Sequence, residues 1–188
     1  ELEIARLIFH ELAHQVAYAK NDTSFNESYA VAVEEEGLKR WVRGNATPEE
    51  LARYTTFKAR QRDLIAALMR ARSRLEAVYA GSGGDASRRA GKAEAIEALR
   101  ADYAGLKAAW KLTEEETKRY DDWFYRDLNN ARLGSVAVYT EHVAAFARLI
   151  AQDGGNMQKF HARVKALAAL PPDERKQRLA TIEQEQAK

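Results

Sequence analysis

Three residues near the start of the chain have the types and spacing of a metal-dependent hydrolase. His10, Glu11 and His14 form an H-E-x-x-H motif in a segment with helical character. Residues four apart on a helix share one face and lie about 6 Å apart along the axis, so both imidazoles can bind one metal ion. Two imidazoles with a carboxylate suit zinc, and Glu11 is placed to take a proton from the water that the metal activates. The motif therefore predicts a zinc-dependent peptidase with one Zn²⁺ per chain.

Two glutamates on the next helix are alternatives for the third metal ligand. Glu27 lies closer to the motif, and Glu34 follows it by seven residues, two turns further along the same face. An ideal hairpin of the first two helices, with its turn near Asp22, would place Glu34 nearer to the histidines. Glu27 would then form a capping box with Ser24 at the start of its own helix. If Glu27 is the ligand, Glu34 can hydrogen-bond a ligand histidine and fix its tautomer.

The first helix is apolar around most of its circumference. Six large apolar side chains surround the motif: Ile4, Leu7, Ile8, Phe9, Leu12 and Val16. A helix that is apolar on nearly all sides is typical of a buried position. Buried histidines and a buried glutamate need partners, and a metal ion supplies them. We therefore expect this helix to lie inside the protein.

The composition excludes several other classes of protein. The 188 residues include no cysteine, which excludes disulfides and thiolate metal sites. The formal net charge is +2, and basic and acidic residues are interleaved, so no basic stripe indicates nucleic acid as a partner. No apolar run reaches the roughly 18 residues of a transmembrane segment. Abundant alanine and only three prolines favour an all-α fold.

Local signals predict where the helices begin and end. The first two helices, the H-E-x-x-H helix and the second ligand helix, should cover about 2–20 and 24–43. Apolar residues then step by three and four along 48–111, interrupted by the glycine-rich segment 81–84. This pattern predicts a long antiparallel helical hairpin, and a capping box at Thr113 begins the next helix.

The domain boundaries follow from these elements. We interpret 1–170 as a helical metallopeptidase catalytic domain that includes the hairpin arm. The charged segment 171–188 begins with two consecutive prolines and has few large apolar side chains. We expect it to form a weakly docked C-terminal helical tail.

The motifs resemble those of the gluzincin metallopeptidases. H-E-L-A-H at 10–14, F-N-E-S at 25–28 and the later Glu34 are similar to the gluzincin ligand pattern, with a shorter spacing before the second motif. Together with L-N-N-A-R-L-G-S-V-A-V-Y at 128–139, they resemble more closely a family of predicted bacterial aminopeptidases, over most of 4–150. The resemblance implies a peptide substrate, aminopeptidase activity and Glu27 as the third zinc ligand. Glu34 would fit the longer spacing that is usual in gluzincins.

The same resemblance directs attention to the segment near residue 130. A peptidase needs a donor for the oxyanion that develops on the substrate, and gluzincins often use a tyrosine or a histidine for this. Tyr139 is our candidate for that donor. Asn130 and Arg132 are candidates for substrate binding, because the planar Arg132 guanidinium can bind a substrate carboxylate with two hydrogen bonds.

The resemblance also implies a context beyond this sequence. Members of the family often begin with an export or lipoprotein signal, which implies the bacterial cell envelope. Gluzincins carry their α-amine anchor and an edge strand upstream of the H-E-x-x-H helix. We therefore expect this chain to be a fragment of a larger metallopeptidase, with an upstream domain of the same protein as a partner.

A non-enzymatic function is the alternative hypothesis. In it the chain is a helical interaction module, the hairpin binds a partner, and the zinc site is structural or vestigial. A structural zinc site has four protein ligands, whereas a catalytic site keeps an open position. Only three ligands are evident in this sequence, which favours the enzyme.

Overall fold

The computed structural model describes residues 2–127, 133, 136, 138 and 141–185. All the regular secondary structure within these ranges is helical, which confirms the predicted all-α class. None of the described helices is long and apolar enough to cross a membrane. The helices are α1 (Leu2–Val16), α2 (Thr23–Asn45), α3 (Pro48–Ala80), α4 (Asp85–Trp110), α5 (Glu114–Asp127), α6 (Val143–Gln152), α7 (Met157–Ala168) and α8 (Pro172–Gln184).

The chain forms two compact units. The first unit combines Glu1–Thr47 with Ala137–Lys188 and contains α1, α2 and α6 to α8. The second unit is Pro48–Val136 and contains α3 to α5. The first unit is therefore built from both ends of the sequence, and it holds the H-E-x-x-H helix.

Aromatic rings form the centre of the first unit. Phe25 and Tyr29 of α2 lie 5.2 and 5.7 Å from Phe146 of α6, between ring centroids. Phe160 of α7 lies 5.9 Å from Tyr29, and all four rings are fully buried. The two pairs with Phe146 are edge-on, and pairs of this kind add about 0.5–1.5 kcal/mol beyond the burial of their area. This cluster fixes α2, which carries Glu27 and Glu34, against the C-terminal helices.

The C-terminal helix α8 is an integral part of the first unit. Leu179 and Ile182 are buried, and the Arg175 side chain is only 3% exposed. Arg175 Nε donates to Asp22 Oδ2 at 2.8 Å, which connects α8 to the start of α2. The expectation of a weakly docked tail is therefore wrong. The two large apolar residues of α8 both face the core, and the buried Arg175 adds further contacts.

A helical hairpin dominates the second unit, as predicted. The helices α3 and α4 run antiparallel on either side of a short loop, and Leu68 and Leu75 are buried with Leu99 and Tyr103 between them. Near the loop, a Cβ on Gly91 would come within 2.8 Å of Val78, so glycine permits the close approach of the two helices. Close packing of this kind depends on small residues at the contact.

The helix α5 begins with the predicted capping box. Thr113 Oγ1 accepts a hydrogen bond from Glu116 N at 3.2 Å, and Glu116 Oε2 accepts one from Thr113 N at 3.1 Å. Phe124 of α5 stacks on Tyr103 of α4 with 4.0 Å between ring centroids. This stacking contact attaches α5 to the hairpin.

The first helix differs from its prediction in length and in burial. α1 ends at Val16, four residues before the expected end. Four of its aliphatic side chains are half or more exposed: Ile4, Leu7, Ile8 and Leu12. Among the described residues, α1 packs on α2 through the face where Ala13 is buried. On this face Phe9 lies so close to Gly37 that a Cβ there would be 2.7 Å from its ring. The expectation of a helix buried on all sides is therefore wrong.

Candidate metal centre

The short connection between α1 and α2 determines which glutamate faces the histidines. Asn26 is buried and its side-chain amide pairs with the backbone of Ala19. Ala19 N donates to Asn26 Oδ1 at 2.8 Å, and Asn26 Nδ2 donates to Ala19 O at 2.9 Å. These two bonds hold the connection against the first turn of α2. With α1 ending early at Val16, the residue after Asn26 faces the histidines.

The start of α2 does not form the capping box of Ser24 and Glu27, which was the alternative role for Glu27. Asp22 is the N-cap, and its Oδ1 accepts a hydrogen bond from Phe25 N at 3.0 Å. Ser24 Oγ instead donates to Glu141 at 2.7 Å. Glu27 is therefore not needed to cap its own helix.

His10, His14 and Glu27 converge to form a group that could hold a metal ion. One ligand atom from each lies within 4.8 Å of the others. Glu27 Oε2 is 3.3 Å from His10 Nε2, and Glu27 Oε1 is 3.8 Å from His14 Nε2. The two imidazole centroids are 5.1 Å apart, with an angle of 81° between the ring planes. The H-E-x-x-H helix and the second ligand helix thus bring three donors together.

These residues fit a zinc ion in both chemistry and spacing. Two tetrahedral ligands at about 2.0–2.2 Å from zinc lie roughly 3.4 Å apart, close to the two Glu27 distances. The side chains of His10, His14 and Glu27 are 14%, 19% and 18% exposed. Such partial burial leaves the three side chains accessible from solvent.

Glu34 lies behind His10, on the side away from Glu27. Its Oε2 is 3.3 Å from His10 Nδ1, and Arg6 Nη1 donates to the same oxygen at 3.2 Å. Glu34 is 5% exposed, so these contacts balance a buried carboxylate. The ideal-hairpin geometry, which favoured Glu34 as the ligand, assumed a longer α1 than the structure has.

Arg6 contributes a positive charge behind His10, and the sequence analysis did not identify it. It lies four residues before His10, one turn away on the same side of α1, and that spacing was the available signal. Its Nε and Nη2 donate to Glu3 Oε1 at 3.1 and 2.9 Å, which leaves Nη1 for Glu34. Burial acts to lower the pKa of Arg6, but hydrogen bonds and charges from Glu3 and Glu34 outweigh it and raise the pKa overall. The guanidinium therefore stays charged.

The two histidines differ in their second ring nitrogen. His10 Nδ1 contacts the Glu34 carboxylate, which can fix the tautomer that leaves Nε2 free to bind a metal. His14 Nδ1 is buried and has no hydrogen-bond partner in the part of the chain that the structure describes. Only His10 is therefore held from behind by a described carboxylate.

Glu11 lies on the outward side of α1. It is exposed, and it follows the ligand candidate His10 directly. Its neighbours Ile8 and Leu12, one turn before and one residue after, are also exposed. The Glu11 carboxylate is therefore accessible from solvent.

The other predicted site residues, Tyr139, Asn130 and Arg132, lie outside the described residues. His142 follows these residues in sequence, and its backbone N–H donates a hydrogen bond to Ser28 Oγ at 3.1 Å. Ser28 is fully buried at this contact. Three successive residues of the F-N-E-S motif therefore have different contacts. Asn26 binds the α1–α2 connection, Glu27 faces the histidines, and Ser28 binds the backbone at the start of α6. Sequence reasoning identified Glu27 and missed the other two, because their partners are backbone groups.

These features define a class: an all-helical protein in which an H-E-x-x-H helix and a glutamate of the next helix could bind one metal ion. The chain belongs to the family described as "Putative aminopeptidase", whose model matches residues 1–179. No curated protein and no solved structure matches it. The expected aminopeptidase family is confirmed, whereas the gluzincin assignment and the bacterial origin stay predictions.

Proposed function

We propose that this protein is a zinc-dependent peptidase and, in line with its family, an aminopeptidase. The observation that carries the proposal is the convergence of His10, His14 and Glu27 within 4.8 Å, in a chain that its family matches over 1–179. The site residues that the structure describes all lie in the first unit. We infer that this unit holds the catalytic chemistry.

The residues of the chain would divide the work of peptide hydrolysis. Zinc held by His10, His14 and Glu27 would supply a Lewis acid and lower the pKa of water toward neutrality. Glu11, exposed beside His10, would take a proton from the attacking water and later give it to the leaving amine. Glu34 would hold His10 in the ligand tautomer through Nδ1.

The remaining roles are proposals that rest on the sequence resemblance. Tyr139 would donate a hydrogen bond to the oxyanion that develops on the substrate carbonyl. Asn130 and Arg132 would contribute to substrate binding, with the planar Arg132 guanidinium suited to a substrate carboxylate. One zinc per chain and a location in the bacterial cell envelope belong to the same set of proposals.

Glu11→Gln separates metal binding from catalysis. We expect the variant to keep about one zinc per chain, since Gln leaves the three ligand candidates untouched. Its peptide hydrolysis should fall by roughly 10²–10⁴-fold, because an amide cannot accept the proton. Zinc content by mass spectrometry and cleavage of peptides with free and with blocked amino termini are the measurements.

Glu49→Gln is the matched control, because Glu49 is an exposed glutamate in the first turn of α3. It should retain both zinc and activity. Activity in Glu11→Gln equal to that of the wild type would disprove the mechanism. A zinc-loaded wild type that cleaves neither free nor blocked peptides would favour the alternative, a helical interaction module with a structural metal site.

A further inference from the structure

A chain of charges leads from the surface of α1 to the candidate metal centre. Glu3 Oε1 accepts two hydrogen bonds from Arg6, at 3.1 and 2.9 Å. The remaining Arg6 nitrogen, Nη1, donates to Glu34 Oε2 at 3.2 Å, and that oxygen lies 3.3 Å from His10 Nδ1. Arg6 therefore divides its planar fork between an outer carboxylate and a buried one. Lysine, which presents a single point charge, could not copy this arrangement.

Glu34 depends on Arg6 to remain a useful acceptor. Glu34 is 5% exposed, and a buried carboxylate is costly unless it is paired and hydrogen-bonded. The other described contact of its Oε2 is His10, which is neutral when it binds a metal. The positive charge at this oxygen therefore comes from Arg6. Without it, an ionised Glu34 would be poorly balanced and free to turn away from His10.

The position of Glu34 sets the direction of the His10 ring. A carboxylate that accepts from Nδ1–H leaves the lone pair on Nε2, the nitrogen that lies 3.3 Å from Glu27. If Glu34 moved, His10 could rotate or adopt the other tautomer. The donor group would then be less ready for a metal ion even though every ligand remained present.

We propose that Arg6 is a positioning residue of the metal centre, which acts through Glu34 to hold His10 in the orientation and tautomer that bind zinc. The proposal rests on the zinc binding proposed above and extends it to a residue that touches neither metal nor substrate. Arg6 should therefore govern zinc affinity without contributing to the number of zinc ions bound.

A double-mutant cycle on zinc affinity tests this role. The proteins are the wild type, Arg6→Gln, Glu34→Gln and the double variant, each titrated with Zn²⁺ against a chromophoric chelator. Arg6→Gln should weaken zinc binding about threefold to tenfold, within or just below the range for residues that orient a ligand. In the Glu34→Gln background the same change should have almost no effect, because the two residues act in one network. Arg6→Lys should restore only part of the affinity.

Arg72→Gln is the matched control, because Arg72 forms an exposed pair with Glu76 at 2.7 Å on α3. It should leave zinc affinity unchanged. Thermal unfolding of the zinc-free variants separates a general loss of stability from a change at the metal centre. If Arg6 had only a structural role, Arg6→Gln would lower the unfolding temperature equally with and without Glu34. Unchanged affinity in Arg6→Gln, or an equal loss with and without Glu34, would overturn the proposal.

The same titrations keep this inference distinct from the proposed function. A wild type that binds zinc, shows the Arg6–Glu34 coupling and cleaves no peptide would refute the peptidase and uphold the role of Arg6. A wild type that binds zinc and cleaves peptides, but shows no coupling between Arg6 and Glu34, would uphold the peptidase and refute the role of Arg6. A wild type that binds no zinc would refute both.

Discussion

At the scale of single residues, two glutamates on α2 show that the position of a carboxylate, more than its residue type, decides its contacts with the histidines. Glu27 and Glu34 share a helix and a face, yet they contact opposite nitrogens of His10. Glu27 also approaches His14, so it bridges the two imidazoles. Glu34 is paired with Arg6 and is more deeply buried. We infer that the first is a ligand and the second a support for a ligand.

Alanine variants of the two glutamates should have different effects on zinc. Glu27→Ala removes one of three donors, and we expect zinc to be lost from the purified protein. Glu34→Ala leaves all three donors, so the stoichiometry should stay near one with an affinity weaker by about 10–100-fold. Zinc content after dialysis and competition titration measure the two effects.

Glu36→Ala is the control for these variants, because Glu36 lies on the same helix and pairs with Arg40 at 2.7 Å. It should change neither quantity. Loss of zinc in Glu34→Ala alone would exchange the two roles and make Glu34 the ligand.

At the scale of elements, the α1–α2 connection decides the site. Local signals in the sequence predicted both helices and the motif, because helical spacing and turn residues act over a few positions. They placed the end of the first helix at Lys20, whereas it lies at Val16. The difference comes from the amide of Asn26, which pairs with Ala19 seven residues earlier. Such a side-chain-to-backbone contact leaves no periodic trace in a sequence.

Removing the Asn26 amide should loosen this connection. Asn26→Ala leaves the buried N–H of Ala19 without its partner, at about 1–3 kcal/mol when it cannot reach water. It also removes one of two hydrogen bonds to the carbonyl oxygen of Ala19, which keeps the bond from Asp22 N at 3.3 Å. We expect a loss of roughly 2–4 kcal/mol in the free energy of unfolding, measured by urea denaturation, and weaker zinc binding because Glu27 is the next residue.

Asn45→Ala provides the comparison, since Asn45 is exposed and its amide makes one bond to Trp41 O at 2.9 Å. Its effect should stay within about 0.5 kcal/mol. If Asn26→Ala were equally mild and bound zinc normally, the connection would not determine the geometry of the site.

The burial of α1 was beyond local reasoning for a different reason. Its apolar pattern is compatible with any neighbour, and the number of helices that pack around it depends on the whole fold. In the structure α1 contacts α2 on one face, so Leu7 and Leu12 stay exposed while Ala13 is buried. Residue composition specifies how much surface a helix offers to a core, and topology specifies how much is used.

At the scale of the whole molecule, the first unit depends on a contact between its two sequence segments. Arg175 of α8 donates to Asp22 across 153 positions, and also to the carbonyl oxygens of Ala168 and Leu170 at 3.0 and 2.9 Å. Its guanidinium lies 5.3 Å from the Phe25 ring centroid. The all-α class could be predicted from composition. This contact between distant segments could not be predicted, because the pattern of charges in a sequence does not show which residues pair over such a separation.

Replacement of Arg175 should therefore destabilise the first unit. Arg175→Met keeps the length of the side chain and removes the charge and every hydrogen bond. Because Asp22 is about one quarter exposed and can be hydrated, we expect a cost of roughly 2–4 kcal/mol, below the full penalty of a broken buried pair. Urea unfolding followed by circular dichroism measures it.

Lys176→Met on the same helix is the comparison, since Lys176 is exposed. It should change the stability by about 0.5 kcal/mol or less. Equal midpoints for the two variants would show that α8 does not hold the start of α2.

The first unit is formed by two segments that are distant in sequence, which has a consequence for folding during synthesis on the ribosome. Phe25 and Tyr29 leave the ribosome long before Phe146 and Phe160, the rings that bury them. Translation of residues 48–136 takes about 5–20 seconds at typical speeds of 5–20 residues per second. Throughout that interval the H-E-x-x-H segment and its aromatic neighbours have no completed core. Nascent chains of this protein should therefore need chaperones, and should be open to proteases, until α6 and α7 emerge.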